Sequence, residues 1–296
     1  MDRRRFLGST SIALAGALLT PAVVRARLSE PLVSILFTND LHSRIDPRRE
    51  DARENSLAGG FEQLARWVEA FRREGREIVL LDAGDVVEAR SVWVERWRGD
   101  VEYRWIQETG YDAVALGDQE LALGMEELGR LGSRWSPPWI ASNYRVSGTP
   151  LESFVEPYRI IERGGIRIGI FALGSPVPES LRGEVAYGEP IPWANQMTRY
   201  LRERRMCEYC ICLSHLGHQS NSGVDDLDVA GGTTGLDLIV GGHSHTLLED
   251  PVRVSRPDGS ETWILQAGSG GIHLGRVDLC RAGQGENQRV ISCVQP

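Results

Sequence analysis

Leu236-Asp237-Leu238-Ile239-Val240-Gly241-Gly242-His243-Ser244-His245-Thr246 is the stretch that decides how this 296-residue chain is read. The apolar run before the glycines is short and continuous, the pattern of a buried strand. Two glycines then release the chain into a tight loop. Histidines two residues apart in an extended segment point to the same side. Both imidazoles can therefore address one spot, and neutral imidazole is the commonest protein metal ligand near pH 7. Taken alone, His-x-His also describes two surface histidines, so its weight depends on the rest of the chain.

Outward from it, four other apolar runs end in the same way. Leu32–Phe37 runs into Thr38-Asn39-Asp40-Leu41-His42-Ser43-Arg44, and Ile78–Leu81 into Asp82-Ala83-Gly84-Asp85. Tyr111–Leu116 runs into Gly117-Asp118-Gln119-Glu120, and residues 208–213 into Ser214-His215-Leu216-Gly217-His218. Between them lie helical patterns at 61–74, with Phe61, Leu64, Ala65, Val68 and Phe71 at helical spacing, at 89–108 (rich in Trp), at 124–132 and at 193–205. Residues 138–142 read as a strand ending at Asn143, and 157–162 and 166–173 as a hairpin turning at Gly164-Gly165. Residues 45–58 and 174–190 read as loops. The last quarter reads as short antiparallel strands at 252–256, 261–266, 272–279 and 288–293, with a turn at Pro257-Asp258-Gly259. Strands alternating with helices and then β-rich predict an α/β layered domain, two sheets face to face with helices outside. Polar residues gather beyond the carboxyl ends of strands, where open α/β sheets place ligands.

The five strand ends supply three carboxylates, Asp40, Asp85 and Asp118, and four imidazoles, His42, His215, His243 and His245. Two divalent ions about 3.5–4 Å apart need a set of this kind, with one carboxylate bridging. Without a cation, such a cluster carries costly unpaired charge. Mixed nitrogen and oxygen ligation suits Mn, Fe, Co or Zn better than Mg or Ca.

The stretches ILFTNDLHSR, GGFEQLARWV, LLDAGDVV, GYDAVALGDQE, IASNY, CLSHLGH, DLIVGGHSHT and ILQAGSGGIHLGRVDL together resemble the catalytic domain of the calcineurin-like metallophosphoesterases, in the 5'-nucleotidase and UDP-sugar hydrolase branch. They span roughly residues 32–280. The resemblance implies a four-layer α/β/β/α sandwich of two mixed sheets. It also implies one metal on Asp40, His42, Asp85 and His245, and a second on Asp85, Asp118, His215 and His243. Asp85, Asp118 and His215 would then act through a water held between the metals, on a small anionic phosphoester. Asn143 and Arg44 stand beside the motifs and either touch the phosphate or hold a loop.

Two departures from the family pattern matter. Where the family has Gly-Asn-His-Glu-Phe-Asp, this chain has Asp118 for the Asn, Gln119 at the position of the catalytic His, and Ala122 for the Asp that orients that His. Gln cannot transfer a proton, and losing a general acid costs ~10²–10⁴-fold. The branch also carries a C-terminal domain that stacks the nucleoside, and this chain ends soon after the catalytic pattern. The expected substrate is therefore atypical, and the Trp-rich stretch at 89–108 is one possible replacement wall. Family members also include hydrolases of sulfur oxidation, and a non-catalytic metal-containing relative that binds an anion or a partner is the competing expectation.

The first 26 residues carry Arg3-Arg4-Arg5-Phe6-Leu7, the short apolar run Ile12–Leu19 and a small-residue cleavage site at Val24-Arg25-Ala26. They read as a twin-arginine export signal, too short for a stable bilayer anchor. The expectation is a protein exported folded through the twin-arginine machinery to the periplasm or beyond, with residues 27–296 as the metallophosphoesterase domain. All 33 basic residues are Arg, and removing 1–26 leaves 40 acids against 29 arginines, a net charge of −11. That acidity argues against a nucleic-acid partner. Five cysteines, an odd number, describe no disulfide framework. Cys210 and Cys212 alternate along a strand as small apolar residues, and Cys207-x-x-Cys210 lacks the second pair a zinc finger needs.

Overall fold

A computed structural model describes residues 32–47, 59–220, 223–256, 259–280 and 290–293. The expected export signal, most of the 45–58 loop and the Pro257-Asp258 part of the expected turn lie outside the described residues. One sheet runs Val290–Cys293 (β15), Gly275–Cys280 (β14), Val33–Thr38 (β1), Ile78–Asp82 (β2), Ala113–Ala115 (β3), Trp139–Ile140 (β4) and Val155–Glu156 (β6). The other runs Val252–Ser255 (β12), Glu261–Leu265 (β13), Leu238–Gly241 (β11), Tyr209–His215 (β10), Ile166–Gly174 (β8) and Tyr158–Arg163 (β7). A separate two-stranded ribbon pairs Tyr144–Arg145 (β5) with Ala186–Tyr187 (β9). Both large sheets are parallel at their centres and antiparallel at edges, as in β1–β14 and β7–β8. Such doubly covered parallel strands explain why the sequence reads as continuous apolar runs.

Three apolar clusters fill the three interfaces of four layers. Between the sheets, Val33, Ile35 and Phe37 of β1 meet Ile168, Ile211, Leu213 and Val240 of the second sheet. The alternate residue, Leu36, turns outward against Leu64 and Val68 of helix Phe61–Arg73 (α1). On the opposite outer face Cys210, Cys212 and Ile239 pack against Ala194 and Met197 of helix Pro190–Arg199 (α6) and Val229 of helix Asp226–Gly232 (α7). Each fully buried Leu, Ile or Val contributes roughly 1.5–3 kcal/mol. Cys207, Cys210, Cys212 and Cys280 are buried; three of them, Cys207, Cys210 and Cys212, belong to this outer cluster.

The helical stretch expected at 89–108 is two helices, Val92–Trp97 (α2) and Asp100–Thr109 (α3). Arg98 and Gly99 break it with φ of 55° and 79°, a left-handed pair that no helix continues through. Its Trp105 stacks on Phe61 with ring centroids 4.2 Å apart, so it packs α3 on α1. Helices Asp118–Ala122 (α4) and Met125–Trp135 (α5) follow β3. The helix α7 has no apolar stripe to announce it; its signal is the Asp225–Asp228 capping box. The expectation of wholly antiparallel strands in the last quarter fails at β13, which pairs antiparallel with β12 but parallel with β11. Two chain reversals restore the direction of β11, and β13 inserts between β11 and the edge.

Candidate metal centre

The carboxyl ends of β1, β2 and β3 from one sheet and of β10 and β11 from the other meet at one end of the sandwich. Asp40 and His42 follow β1, Asp85 follows β2, Asp118 opens α4 after β3, His215 ends β10, and His243 and His245 follow β11. The ligating atoms form three overlapping groups, each within 4.8 Å: Asp40, His42 and His245; Asp118, His215 and His243; and Asp40, Asp85 and His215. All seven side chains expected from the sequence are thus brought together. His218 and His273 stand outside these groups.

The backbone is bent to do this. Asp40, His42, Asp85, His243 and His245 have φ of 50°, 47°, 58°, 70° and 54°. Left-handed backbone at a residue with a Cβ costs roughly 1–2 kcal/mol, and it persists only where neighbours over-determine it. Here Asp40 N donates to Gly84 O and His42 N to Asp85 O, both at 2.9 Å, and Gly270 N donates to Asp40 O at 2.7 Å. Gly117 is required by close approach, since a Cβ there would sit 2.1 Å from Asp85 Oδ1.

Glu120 is the clamp beneath. Its fully buried carboxylate accepts from the backbone N–H of Asp85 (2.9 Å), Val86 (2.8 Å), Val87 (3.2 Å) and Gly117 (2.8 Å), and from the Tyr103 hydroxyl (3.2 Å). Burial, with the Asp85 charge nearby, pushes its pKa up to about 7 against the pull of those donors. Asn39 does the same for the next loop: its amide donates to Asp40 Oδ2 and Gly268 O, both at 2.6 Å, and accepts from Ala267 N at 2.8 Å. Sequence reasoning gave neither residue a role. The signal for Glu120 was present as the capping-box spacing Gly117-x-x-Glu120.

Second partners fix the imidazoles. His215 Nδ1–H donates to Ala83 O at 2.8 Å, which turns Nε2 toward Asp85 Oδ2 and Asp118 Oδ1, each 3.2 Å away. An outer hydrogen bond that sets the tautomer of a ligand histidine is the usual companion of a metal. His215 is fully buried, which opposes its charged form, yet the Asp85 and Asp118 carboxylates raise its pKa well above the usual value. Hydrogen bonds from His215 and His243 hold the Asp118 carboxyl well below the ordinary range. His42 Nε2 and His245 Nε2 face each other at 2.8 Å, and His245 Nε2 is 3.5 Å from Asp40 Oδ1. On its far side His42 Nδ1 lies 3.0 Å from Glu88 Oε2.

Other expected contacts resolve differently. Asn143 is buried and spends its side chain on the backbone of Gly174 and Gly188. Of the two roles expected for it, holding a loop is the one these bonds serve. The Arg44 guanidinium packs on the backbone of Gly270, where a Cβ would come within 2.8 Å. The Gln119 amide donates to Asp118 Oδ2 at 3.1 Å and accepts from Ala89 N at 3.3 Å, while Ala122 is exposed.

Residues 33–247 match the calcineurin-like phosphoesterase family. The chain belongs to this family. It is 31% identical to bovine 5'-nucleotidase over 289 residues, which cover 89% of this chain and 48% of that protein. Against human 5'-nucleotidase it is 28% identical, covering 92% and 49%. The chain thus spans about half the length of the 5'-nucleotidases it matches. Among solved structures, the 5'-nucleotidase precursor of Thermus thermophilus superposes with a TM-score of 0.79 at 25% identity, covering 89% of this chain and 54% of that one. The sulfate thiohydrolase SoxB of a Thermus species shares the fold, with a TM-score of 0.72 at 22% identity, over 89% of this chain and 56% of its own. The four-layer architecture expected from the sequence is the fold of these relatives. Members of the family are hydrolases of phosphoesters that use divalent metals.

Proposed function

We propose that the chain hydrolyses small anionic phosphoesters with two divalent cations, after export through the twin-arginine route to the periplasm or beyond. One cation would rest on Asp40, His42, Asp85 and His245, the other on Asp85, Asp118, His215 and His243, with Asp85 shared. The donor set fits: three carboxylates and four imidazoles at one strand-end hollow, with His215 Nε2 left facing inward by its bond to Ala83. Mixed N/O donors suit Mn, Fe, Co or Zn. Bound there, divalent cations would neutralise phosphoryl charge and acidify a water toward neutral pH. The chain's own part is placement. Glu120 and Asn39 lock the carboxylate loops, and outer partners orient His215 and His42, so little reorganisation is left for the reaction.

The observation that carries this reading is the convergence of all seven side chains from five separate strand ends. Gln119 favours a second reading, a metal-containing binding protein, because an amide has no proton to give a leaving group. Metal analysis with phosphate release from a panel of phosphomonoesters under added Mn separates the two. Turnover that disappears in His215→Ala supports the hydrolase. Tight metal without turnover of any ester supports the binding protein. If Gln119 marks a lost general acid, Gln119→His with Ala122→Asp speeds esters of poor leaving groups by ~10²-fold or more; no gain would sink that account. Exposed Ala122 leaves room for the carboxylate.

A further inference from the structure

A cavity of about 560 Å³ is walled by Tyr144, Tyr187, Pro157 and Trp193 with Arg145 and Ser147 toward solvent. Asn143 also lines it and joins it to the centre, because its amide bonds Gly174 and Gly188, and Gly174 is the register partner of His215. Tyr144 covers the same glycine: a Cβ on Gly174 would come 2.1 Å from the Tyr144 hydroxyl oxygen. The cavity is therefore on the Asp118 and His215 flank. The Tyr144 phenol is pushed upward chiefly by burial.

The ribbon that builds the cavity is otherwise hard to account for. Its strands β5 and β9 have two residues each and join neither large sheet. A hairpin-sized pair has little stability of its own. What the pairing achieves is to set Tyr144 opposite Tyr187, ring centroids 6.1 Å apart at 44°. Tyr144 is buried and Tyr187 is half-buried, so one ring is wall and the other is available to stack.

We propose that this cavity receives the aromatic half of an aryl phosphoester whose phosphoryl group lies over the Asp85 cradle. The proposal rests on the hydrolase reading above and names its substrate class. Gln119 supplies the second reason. In hydrolysis the water oxygen bonds to phosphorus, the bond from phosphorus to the aryl oxygen breaks, the phenolate departs with the electron pair, and the water's proton goes to solvent. A phenolate leaves without being protonated far more readily than an alkoxide, so a site with an amide at position 119 suits aryl esters.

The test uses the full chain with Tyr187→Leu, which keeps bulk, and Tyr187→Phe, which keeps the ring. The ratio of kcat/KM for phenyl phosphate to that for glycerol 3-phosphate is expected to fall about tenfold in Tyr187→Leu, the scale of one lost aromatic stack, and to persist in Tyr187→Phe. An unchanged ratio in Tyr187→Leu overturns the proposal. Calorimetric binding of 4-nitrophenol needs no turnover and reads the cavity alone: binding weakened about tenfold by Tyr187→Leu supports it even if no ester is hydrolysed, in which case the hydrolase reading is what falls. Absence of 4-nitrophenol binding, or Tyr187-dependent binding of adenosine alone, overturns the aryl assignment.

Discussion

The floor and the rim of the cradle are made differently. The floor, Asp40, Asp85 and His215, is at most 2% exposed and is tied into backbone on several sides. The rim is open: the side chains of His243 and His245 are 42% and 46% exposed, and both follow one loop from one strand. Asp40 links the two, accepting the His243 N–H at 3.0 Å on both oxygens. The floor is where charge is concentrated and held against its own repulsion, while the rim supplies imidazoles that water can reach. Buried charged groups are costly to leave unpaired, exposed imidazoles are not, so damage to the two should differ in kind.

The sharpest contrast comes from Asp85→Asn. It sits in both proposed ligand sets and accepts Gln119 N at 2.8 Å. Loss of activity should exceed the ~100-fold of an outer-contact change, with metal content per chain falling and no recovery in excess Mn. Glu120→Gln comes next. One amide cannot accept from five donors as a carboxylate does, and each orphaned buried N–H costs about 1–3 kcal/mol. A lower Tm together with ~10–100-fold weaker metal affinity is expected; an unchanged Tm would show that the clamp is not structural. His245→Ala, on the rim, should lose less and regain turnover as Mn is raised. If it proves as irrecoverable as Asp85→Asn, the distinction between floor and rim is wrong.

The smallest effect concerns pH and a carboxylate behind the floor. Asp226 is fully buried, takes a hydrogen bond from the Ser214 hydroxyl, and has its pKa pushed up to about 8, chiefly by burial. Its folded pKa is raised, so between about pH 4 and 8 the folded chain holds a proton that the unfolded chain has lost. Stability should therefore fall as pH rises through that window, by at most about 1.4 kcal/mol per unit from this group, and level off above it. Asp226→Asn keeps an acceptor for Ser214 and should remove that slope. A denaturation series at pH 5, 6, 7 and 8 that leaves the slope intact in the variant would reassign it.

Much of this was legible in one dimension because strand-to-loop junctions are local. An apolar run followed by a polar ligand type is written within ten residues, and five such junctions were enough to mark Asp40, Asp85, Asp118, His215 and His243. What stayed open in the sequence required knowledge of neighbours. Asn143 and Arg44 sit beside the motifs in sequence, but their partners, Gly174, Gly188 and Gly270, lie far along the chain. Glu120 was visible as a cap and invisible as a clamp, since three of its donors come from residues 85–87.

By itself the sequence determined the periodicities, and hence the buried strands, the covering helices and the residue types at their ends. Those are set by short-range sterics and by burial of apolar faces. Only the tertiary structure decided which imidazole nitrogen faces inward, which residues stand in left-handed backbone, and that a two-residue ribbon brings Tyr144 and Tyr187 to the flank of the cradle. Each of these depends on hydrogen bonds and close approaches between segments tens to hundreds of residues apart, and no local pattern of residues encodes them.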